Sequence, residues 1–198
     1  MRVSAQFMLS AMDAVHFPKP GPPEVAFLGR SNVGKSSVIN SLLGEKLAKT
    51  SSTPGRTRSI NFFAVRRAGR SGPELLFADL PGYGYAKLSK EISAEWPKFI
   101  EPYLEKRETL ALSIVLVDTN IPPQEKDTQL IEWLKFHQRP FVIVGTKSDR
   151  ISNNALANSL RKLESSFDAK GILAYSTKLG TGRNELWRRI GEACGLAD

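Results

Sequence analysis

The sequence predicts an α/β fold, in which a mostly parallel six-stranded sheet carries helices on both faces and has one antiparallel strand at its edge. Short apolar runs typical of buried strands alternate along the chain with longer helix-like stretches. The composition is that of a globular domain, with 198 residues, of which 41% are hydrophobic and 24% are charged. We therefore expect one domain over residues 23–198, preceded by an N-terminal arm over residues 1–22.

The predicted strands are apolar along nearly their whole length, which indicates burial on both faces, as in a parallel sheet covered by helices. The connection between the second and third strands is too short for a helical crossover, so this pair is expected to be antiparallel. The strands are residues 25–28, 60–65, 75–78, 112–117, 141–144 and 172–175.

The helix-like stretches separate most of these strands. They are residues 35–43, 90–106, 124–137, 153–166 and 183–193. The segment PKPGPP at residues 18–23 is too rich in proline and glycine for a helix or a central strand, so it marks where the arm joins the domain. Ligands of such sheets bind beyond the carboxyl ends of the strands, where functional residues are therefore expected.

The strongest motif is a glycine-rich loop between the first predicted strand and the first predicted helix. Residues 29–36 read GRSNVGKS, a complete phosphate-binding pattern, and we call them the phosphate loop. Its backbone N–H groups and the N-terminus of the helix can surround a phosphate. Lys35 can reach the β- and γ-phosphate oxygens, and the Ser36 hydroxyl can bind Mg²⁺. The strand before the loop and the helix after it argue against a simple turn.

A second motif, DLPG at residues 79–82, follows the strand at 75–78. A carboxylate at the end of a strand can hold a water bound to Mg²⁺, and Gly82 can turn its N–H group toward a γ-phosphate. Such a pattern is often only a turn. Its place one hairpin after the phosphate loop favours a nucleotide site.

Two polar loops later in the chain predict the base that is bound. In TKSD, residues 146–149, the Asp149 carboxylate can accept hydrogen bonds from N1–H and the exocyclic amine of guanine. Adenine offers no such pair of donors, and the Lys147 stem can cover the base. Residues 176–178, STK, follow the last strand, where backbone N–H groups can meet the guanine O6. A small kinase that uses ATP is the alternative, and Asp149 argues against it.

These motifs together resemble the EngB (YihA/YsxC) family of TrmE-Era-type bacterial GTPases. The resemblance covers roughly residues 4–193 and is carried by residues 23–37, 53–57, 60–63, 79–86 and 146–149. It implies a P-loop GTPase fold of the Ras-like kind for residues 23–198. It also implies that the protein hydrolyses GTP to GDP and phosphate with Mg²⁺ as a cofactor.

The resemblance further implies which residues form the site. Lys35, Thr57 and Gly82 would be catalytic, and Ser36 and Thr57 would bind Mg²⁺. Thr53 competes with Thr57, which is preferred because it lies just before the strand at 60–65. The residues expected to bind the nucleotide are Gly29, Arg30, Ser31, Asn32, Val33, Gly34, Lys35, Ser36, Ser37, Arg56, Thr57, Asp79, Gly82, Thr146, Lys147, Asp149, Ser176, Thr177 and Lys178.

Two positions bear on the rate of hydrolysis. Many GTPases place a glutamine directly after the glycine of D-x-x-G to orient the attacking water, whereas this chain has Tyr83 there. Slow intrinsic hydrolysis is therefore expected. In related GTPases an asparagine at the position of Asn32 helps to hold K⁺, whose charge could replace that of an arginine finger. Tolerance of a strained backbone is the other interpretation of Asn32, and the sequence leaves both open.

The charge pattern and the resemblance together bear on partners. The net charge is +8, and residues 46–70, which we call the basic segment, carry seven basic and no acidic residues. Such a segment attracts polyanions or merely forms a solvated face. The resemblance implies the large ribosomal subunit and its rRNA as partners during assembly, with a link to cell division and septation. A GTP-dependent RNA-binding module with negligible turnover is the alternative function.

Other features bear on where the protein acts. No apolar run approaches the roughly 20 residues needed to span a bilayer, and the N-terminus lacks the pattern of a signal peptide. The only cysteine, Cys194, suits a reducing compartment. A cytoplasmic monomer without membrane insertion is expected. The family often has Arg-His shortly after the aspartate at position 118, whereas this chain has Thr119 and Asn120, which puts a partner contact of that loop in doubt.

Overall fold

The computed structural model describes residues 3–48, 59–83 and 100–196. Seven strands form one sheet in these residues: β1 Val3–Ala11, β2 Glu24–Gly29, β3 Ile60–Arg67, β4 Leu75–Asp79, β5 Leu110–Asp118, β6 Phe141–Thr146 and β7 Leu173–Ala174. The helices are α1 Lys35–Leu43, α2 Glu125–Phe136, α3 Asn153–Phe167 and α4 Arg183–Ala193. Residues 100–106 are also helical, and we call them the helical segment.

The strand order β1-β3-β4-β2-β5-β6-β7 confirms the predicted α/β class. All neighbouring pairs from β4 to β7 are parallel, and β3 runs antiparallel to both β4 and β1. The antiparallel pairing of β3 with β4 is as predicted. The predicted helices at 35–43 and 183–193 match α1 and α4. α2 is shorter than its prediction by one residue at each end, and α3 is longer by one residue at its C-terminal end.

The sheet has seven strands rather than the predicted six. The additional strand, β1, comes from the predicted N-terminal arm and covers the outer side of β3, so the antiparallel strand is second from the edge. Its sequence, VSAQFMLSA, mixes small polar and apolar side chains, and much of it stays exposed because it pairs on one side only. A continuous apolar run marks a strand buried on both faces and cannot reveal such an edge strand. The boundary at residues 22 and 23 remains a prediction.

The core lies on both faces of the sheet. The helical segment, α2 and α3 cover one face with side chains such as Tyr103, Ile131 and Phe167. α1 and α4 cover the other, where Trp187 stacks on Phe77 with ring centroids 5.6 Å apart. Within the described ranges, no helix is both long and apolar enough to cross a membrane.

A buried ionic cluster fixes the end of the sheet opposite to the phosphate loop. Glu24, the first residue of β2, is fully buried. Its carboxylate accepts hydrogen bonds from Arg107 Nε at 2.9 Å, Tyr103 Oη at 2.8 Å and Thr109 Oγ1 at 2.7 Å. Burial, with the negative charge of Glu24 next to it, holds the pKa of Tyr103 well above its ordinary value. The cluster joins the helical segment to the starts of β2 and β5.

We expect the substitution Glu24→Ala to lower the free energy of unfolding by about 3–5 kcal/mol, because it leaves the nearly buried Arg107 without its anion. Urea unfolding followed by circular dichroism measures this loss. Glu192→Ala is the matched control, since Glu192 pairs with Arg188 on the exposed surface of α4. Equal losses for the two variants would contradict the role given to Glu24.

Candidate nucleotide-binding site

The phosphate loop joins β2 to α1 in a conformation that requires its glycines. A Cβ atom on Gly29 would lie 2.7 Å from Val33 Cγ1 and 3.1 Å from the Leu116 carbonyl oxygen, so a larger residue would displace the loop. Gly34 has a φ of +103°, a left-handed conformation that other residues rarely adopt. Asn32 is left-handed as well, with φ of 65°, which fits the tolerance of asparagine for that region.

Lys35, the first residue of α1, forms an ion pair with Asp79 at the end of β4. Both side chains are nearly buried, with 11% and 6% of their surface exposed. β2 and β4 are parallel neighbours, so the loop that follows β2 and the residue that ends β4 meet at the same edge. The half-buried Ser36 follows Lys35 in the first turn of α1.

The oxygen donors at this edge fit Mg²⁺, which prefers hydroxyl, carboxylate and phosphate oxygens and retains several waters. Ser36 offers a hydroxyl and Asp79 a carboxylate. In the described part of the chain, no three histidine, cysteine or acidic side chains gather into a metal centre of their own. A Mg²⁺ ion held by these two groups would take its remaining ligands from phosphate oxygens and water.

The residues after β4 pack directly on the phosphate loop. A Cβ atom on Gly82 would lie 3.1 Å from Ser31 Oγ and 3.2 Å from Ser31 N, so Gly82 allows the close approach. The Ser31 N–H group donates to the Tyr83 carbonyl oxygen at 3.1 Å. Tyr83 Oη donates to Asp127 Oδ1 of α2 at 2.8 Å, and both side chains are buried. Burial, next to the charge of Asp127, raises the pKa of Tyr83 well above its ordinary value.

The TKSD motif is tied to the phosphate loop by hydrogen bonds. Thr146, the last residue of β6, donates from Oγ1 to the Val33 carbonyl oxygen at 2.7 Å. Lys147 adopts a left-handed backbone with φ of 59°, and its Nζ donates to the Asn32 carbonyl oxygen at 2.9 Å and to Asp118 Oδ2 at 2.6 Å. Residues far apart in sequence therefore form one edge of the site.

Asp149 and the STK loop meet at the other side of TKSD. Asp149 Oδ1 accepts a hydrogen bond from Ser176 Oγ at 2.7 Å. This hydrogen bond lowers the pKa of Asp149 below its ordinary value, against the opposing effect of desolvation, so the side chain is a carboxylate at neutral pH. Ser176 is fully buried, whereas Thr177 and Lys178 are exposed.

The structure thus brings together the phosphate loop, Asp79, Gly82, the TKSD motif and Ser176. Arg56, Thr57 and its competitor Thr53 lie outside the described residues, as do residues 84–86. Two residues that contact the site, Asp118 and Asp127, were not predicted from the sequence as part of it. Asp118 ends a predicted strand, a position that could have indicated it, whereas nothing in the sequence distinguishes Asp127 from a solvated helix residue.

Comparison with known proteins shows the family to which the chain belongs. The model of the family described as "50S ribosome-binding GTPase" matches residues 24–147. The chain is 59% identical to the "Probable GTP-binding protein EngB" of Koribacter versatilis over 98% of this chain and 96% of that protein. The chain belongs to the EngB family. It is also 58% identical to the EngB protein of Acidobacterium capsulatum, over 96% of this chain and 90% of that one.

A solved structure shows the same fold. The crystal structure of a probable GTP-binding protein EngB superposes with a TM-score of 0.69 and 23% identity, covering 88% of this chain and 100% of that one. EngB membership and the family model make this chain a GTP-binding protein of the GTPase class. The predicted P-loop GTPase fold is confirmed.

Proposed function

We propose that this EngB protein binds GTP and GDP with Mg²⁺, hydrolyses GTP slowly and acts as a nucleotide-dependent switch in assembly of the large ribosomal subunit. The observation that carries the proposal is the contact of Lys147 with the Asn32 carbonyl oxygen, which fixes the base-reading motif to the phosphate loop. One ligand can therefore contact both. In this proposal the G domain spans residues 23–198, and the protein is a cytoplasmic monomer without membrane insertion, linked to cell division and septation.

The phosphate end of the site suits a nucleoside triphosphate. Backbone N–H groups of the phosphate loop and the N-terminus of α1 hold the β-phosphate, and Lys35 reaches the β- and γ-oxygens. Ser36 and Asp79 supply oxygens toward Mg²⁺, directly or through water, and Thr57 completes this set in the proposal. The ion, when bound, neutralises charge on the phosphates. Gly82 donates its N–H group toward the γ-phosphate.

The base end suits guanine. Asp149 accepts from N1–H and the exocyclic amine, while the stem of Lys147 covers one face of the ring. The hydrogen bond from Ser176 fixes the orientation of the Asp149 carboxylate. The N–H groups of the STK loop supply donors for the guanine O6. The result is discrimination between GTP and ATP at one carboxylate.

Slow hydrolysis follows from the position of Tyr83. Its hydroxyl is committed to the buried Asp127 of α2, so this residue does not orient a water as a glutamine would. An ion such as K⁺ near Asn32 could supply charge in its place. The same observation favours the alternative function, a GTP-dependent RNA-binding module with negligible turnover. Multiple-turnover phosphate release with and without K⁺ and ribosomal subunits separates the two, since stimulation in no condition would favour the binding module.

The ribosomal role is supported by the family description and by exposed basic residues of the basic segment. Of the described residues in the basic segment, Lys46 and Arg66 are exposed, whereas Arg67 and Arg70 lie within ion-pair distance of Glu74. Exposed cations attract phosphate-rich surfaces by releasing counterions. A contact between Thr57 and the γ-phosphate, present with GTP and absent with GDP, would make binding to rRNA depend on the nucleotide.

We expect the protein to co-sediment with the large ribosomal subunit more strongly in a non-hydrolysable GTP analogue than in GDP, at each of several salt concentrations. The substitution Arg66→Ala should weaken this binding several-fold and reduce its salt dependence. Arg161→Ala, which removes an exposed arginine from α3 beyond the opposite edge of the sheet, is the matched control. Equal binding with the GTP analogue and with GDP would contradict the switch and leave only non-specific electrostatic attraction to rRNA.

A further inference from the structure

Asp118 and Asn120 lie at the end of β5 and contact Lys147 of the TKSD motif. Neither belongs to a nucleotide-binding motif of the sequence. β5 and β6 are parallel and in register, with Asp118 opposite Thr146. The residue that ends β5 therefore lies beside the first residue of TKSD. This register brings the Asp118 carboxylate within 2.6 Å of Lys147 Nζ.

Both oxygens of the Asp118 carboxylate accept hydrogen bonds. Oδ2 accepts from Lys147, while Oδ1 accepts from the backbone N and from Nδ2 of Asn120, each at 2.9 Å. Burial alone would raise the pKa of Asp118, but the hydrogen bonds from Lys147 and Asn120 outweigh it, so the pKa stays below its ordinary value. The group is thus a fixed anion, with only 13% of its side chain exposed.

Asn120 adds a second contact to Lys147. Its Nδ2 donates to the Lys147 carbonyl oxygen at 3.1 Å. Lys147 has a left-handed backbone, which costs free energy in a residue other than glycine and persists only when its surroundings hold it. Asn120 therefore supports the main chain of Lys147, while Asp118 supports its ammonium group. The loop that departs from the family's usual Arg-His pair thus has a use at the nucleotide site.

We propose that Asp118 and Asn120 are positioning residues that hold Lys147 over the guanine base and against the phosphate loop. The proposal rests on the proposed binding of guanine nucleotides. Lys147 Nζ donates to the Asn32 carbonyl oxygen, and a flexible lysine loses considerable rotamer entropy when it is held there. The anion at Asp118 offsets this loss before the nucleotide arrives. Pre-organisation of this kind raises affinity without any contact to the ligand.

The test measures dissociation constants for fluorescent GDP and IDP, the latter lacking the exocyclic amine of guanine. We expect Asp118→Asn to raise the dissociation constant for GDP about tenfold, the effect of losing one charge-assisted hydrogen bond. In a Lys147→Ala background the same substitution should change the affinity less than about twofold, because residues that act as a unit are not additive. A full tenfold loss in that background, or none in the native protein, would overturn the proposal.

Asn120→Ala provides an independent arm should Asp118→Asn fail to fold, which thermal unfolding reports. Its expected effect is a severalfold weaker affinity that persists in part without the Lys147 side chain, because Asn120 donates to the Lys147 carbonyl oxygen. An unchanged affinity would count against the role of Asn120. Asp168→Asn is the matched control, because Asp168 is fully exposed beside Lys135, far from the site. It should leave the affinity unchanged.

The comparison of the two nucleotides separates this proposal from the proposed function. Native protein should prefer GDP over IDP, because Asp149 reads the amine. Asp118→Asn should lower the affinities for GDP and IDP by the same factor, since Lys147 covers either base equally. A native protein without that preference would refute guanine recognition, whereas a changed ratio in Asp118→Asn would refute only the positioning role.

Discussion

The substitution Asp149→Asn is expected to weaken binding of GDP and GTP by about a hundredfold or more, because both hydrogen bonds from guanine to a carboxylate are weakened or lost. An asparagine amide can still accept from N1–H, but its Nδ2 group meets the exocyclic amine of guanine donor to donor. An unpaired buried donor costs more than the lost bond alone. Fluorescence titration with labelled GDP measures the effect.

The same variant should gain affinity for xanthine nucleotides. Xanthine carries a carbonyl oxygen where guanine carries the amine, so the asparagine amide can donate to it. Native protein should prefer guanine to xanthine nucleotides, since the Asp149 carboxylate would face the additional carbonyl oxygen of xanthine and repel it. The direct contact of Asp149 with Ser176 survives the substitution, because an amide oxygen also accepts from a hydroxyl. Unchanged affinity for GDP, or equal loss for both bases, would contradict the assignment of Asp149.

The substitution Lys35→Ala is expected to remove most of the affinity for GTP, by about a hundredfold, because it removes the ammonium that contacts the β- and γ-phosphates in the proposed function. The affinity for GTP should fall more than the affinity for GDP, because GDP lacks the γ-phosphate. Lys46→Ala, which removes an exposed lysine shortly after α1, is the matched control and should leave the affinity unchanged. Equal affinities of the native protein and Lys35→Ala for GTP would contradict the role of Lys35.

The structure adds a second effect of this substitution that the sequence does not reveal. Asp79 is nearly buried and pairs with Lys35, so Lys35→Ala leaves a buried carboxylate without its cation. Loss of one partner of such a pair costs about 3–5 kcal/mol. The variant should therefore unfold at a lower temperature than native protein, and the double variant Lys35→Ala with Asp79→Asn should recover part of that loss. Nucleotide titrations must be made below the unfolding temperature of each variant.

Much of the fold could be predicted because its central strands are apolar on both faces. β2, β5 and β6 are buried against helices on two sides, so their sequences are continuous apolar runs that a pattern detects. β1 was missed because it pairs only with β3, and its exposed middle residues relax the pattern. The helix α1 was predicted to the residue, since a phosphate loop precedes it and Gly44 ends it in a left-handed conformation.

The residues of the proposed site could be predicted from local sequence, because phosphate and base recognition depend on residue types at fixed short spacings within single loops. The phosphate loop, DLPG and TKSD are each local, so one stretch of letters suffices to predict them. The distant groups that hold those loops in place are visible only in the folded chain: Asp118 contacts Lys147, and Asp127 contacts Tyr83. Such contacts depend on strand register and helix packing, which bring together residues whose separation in sequence carries no signal.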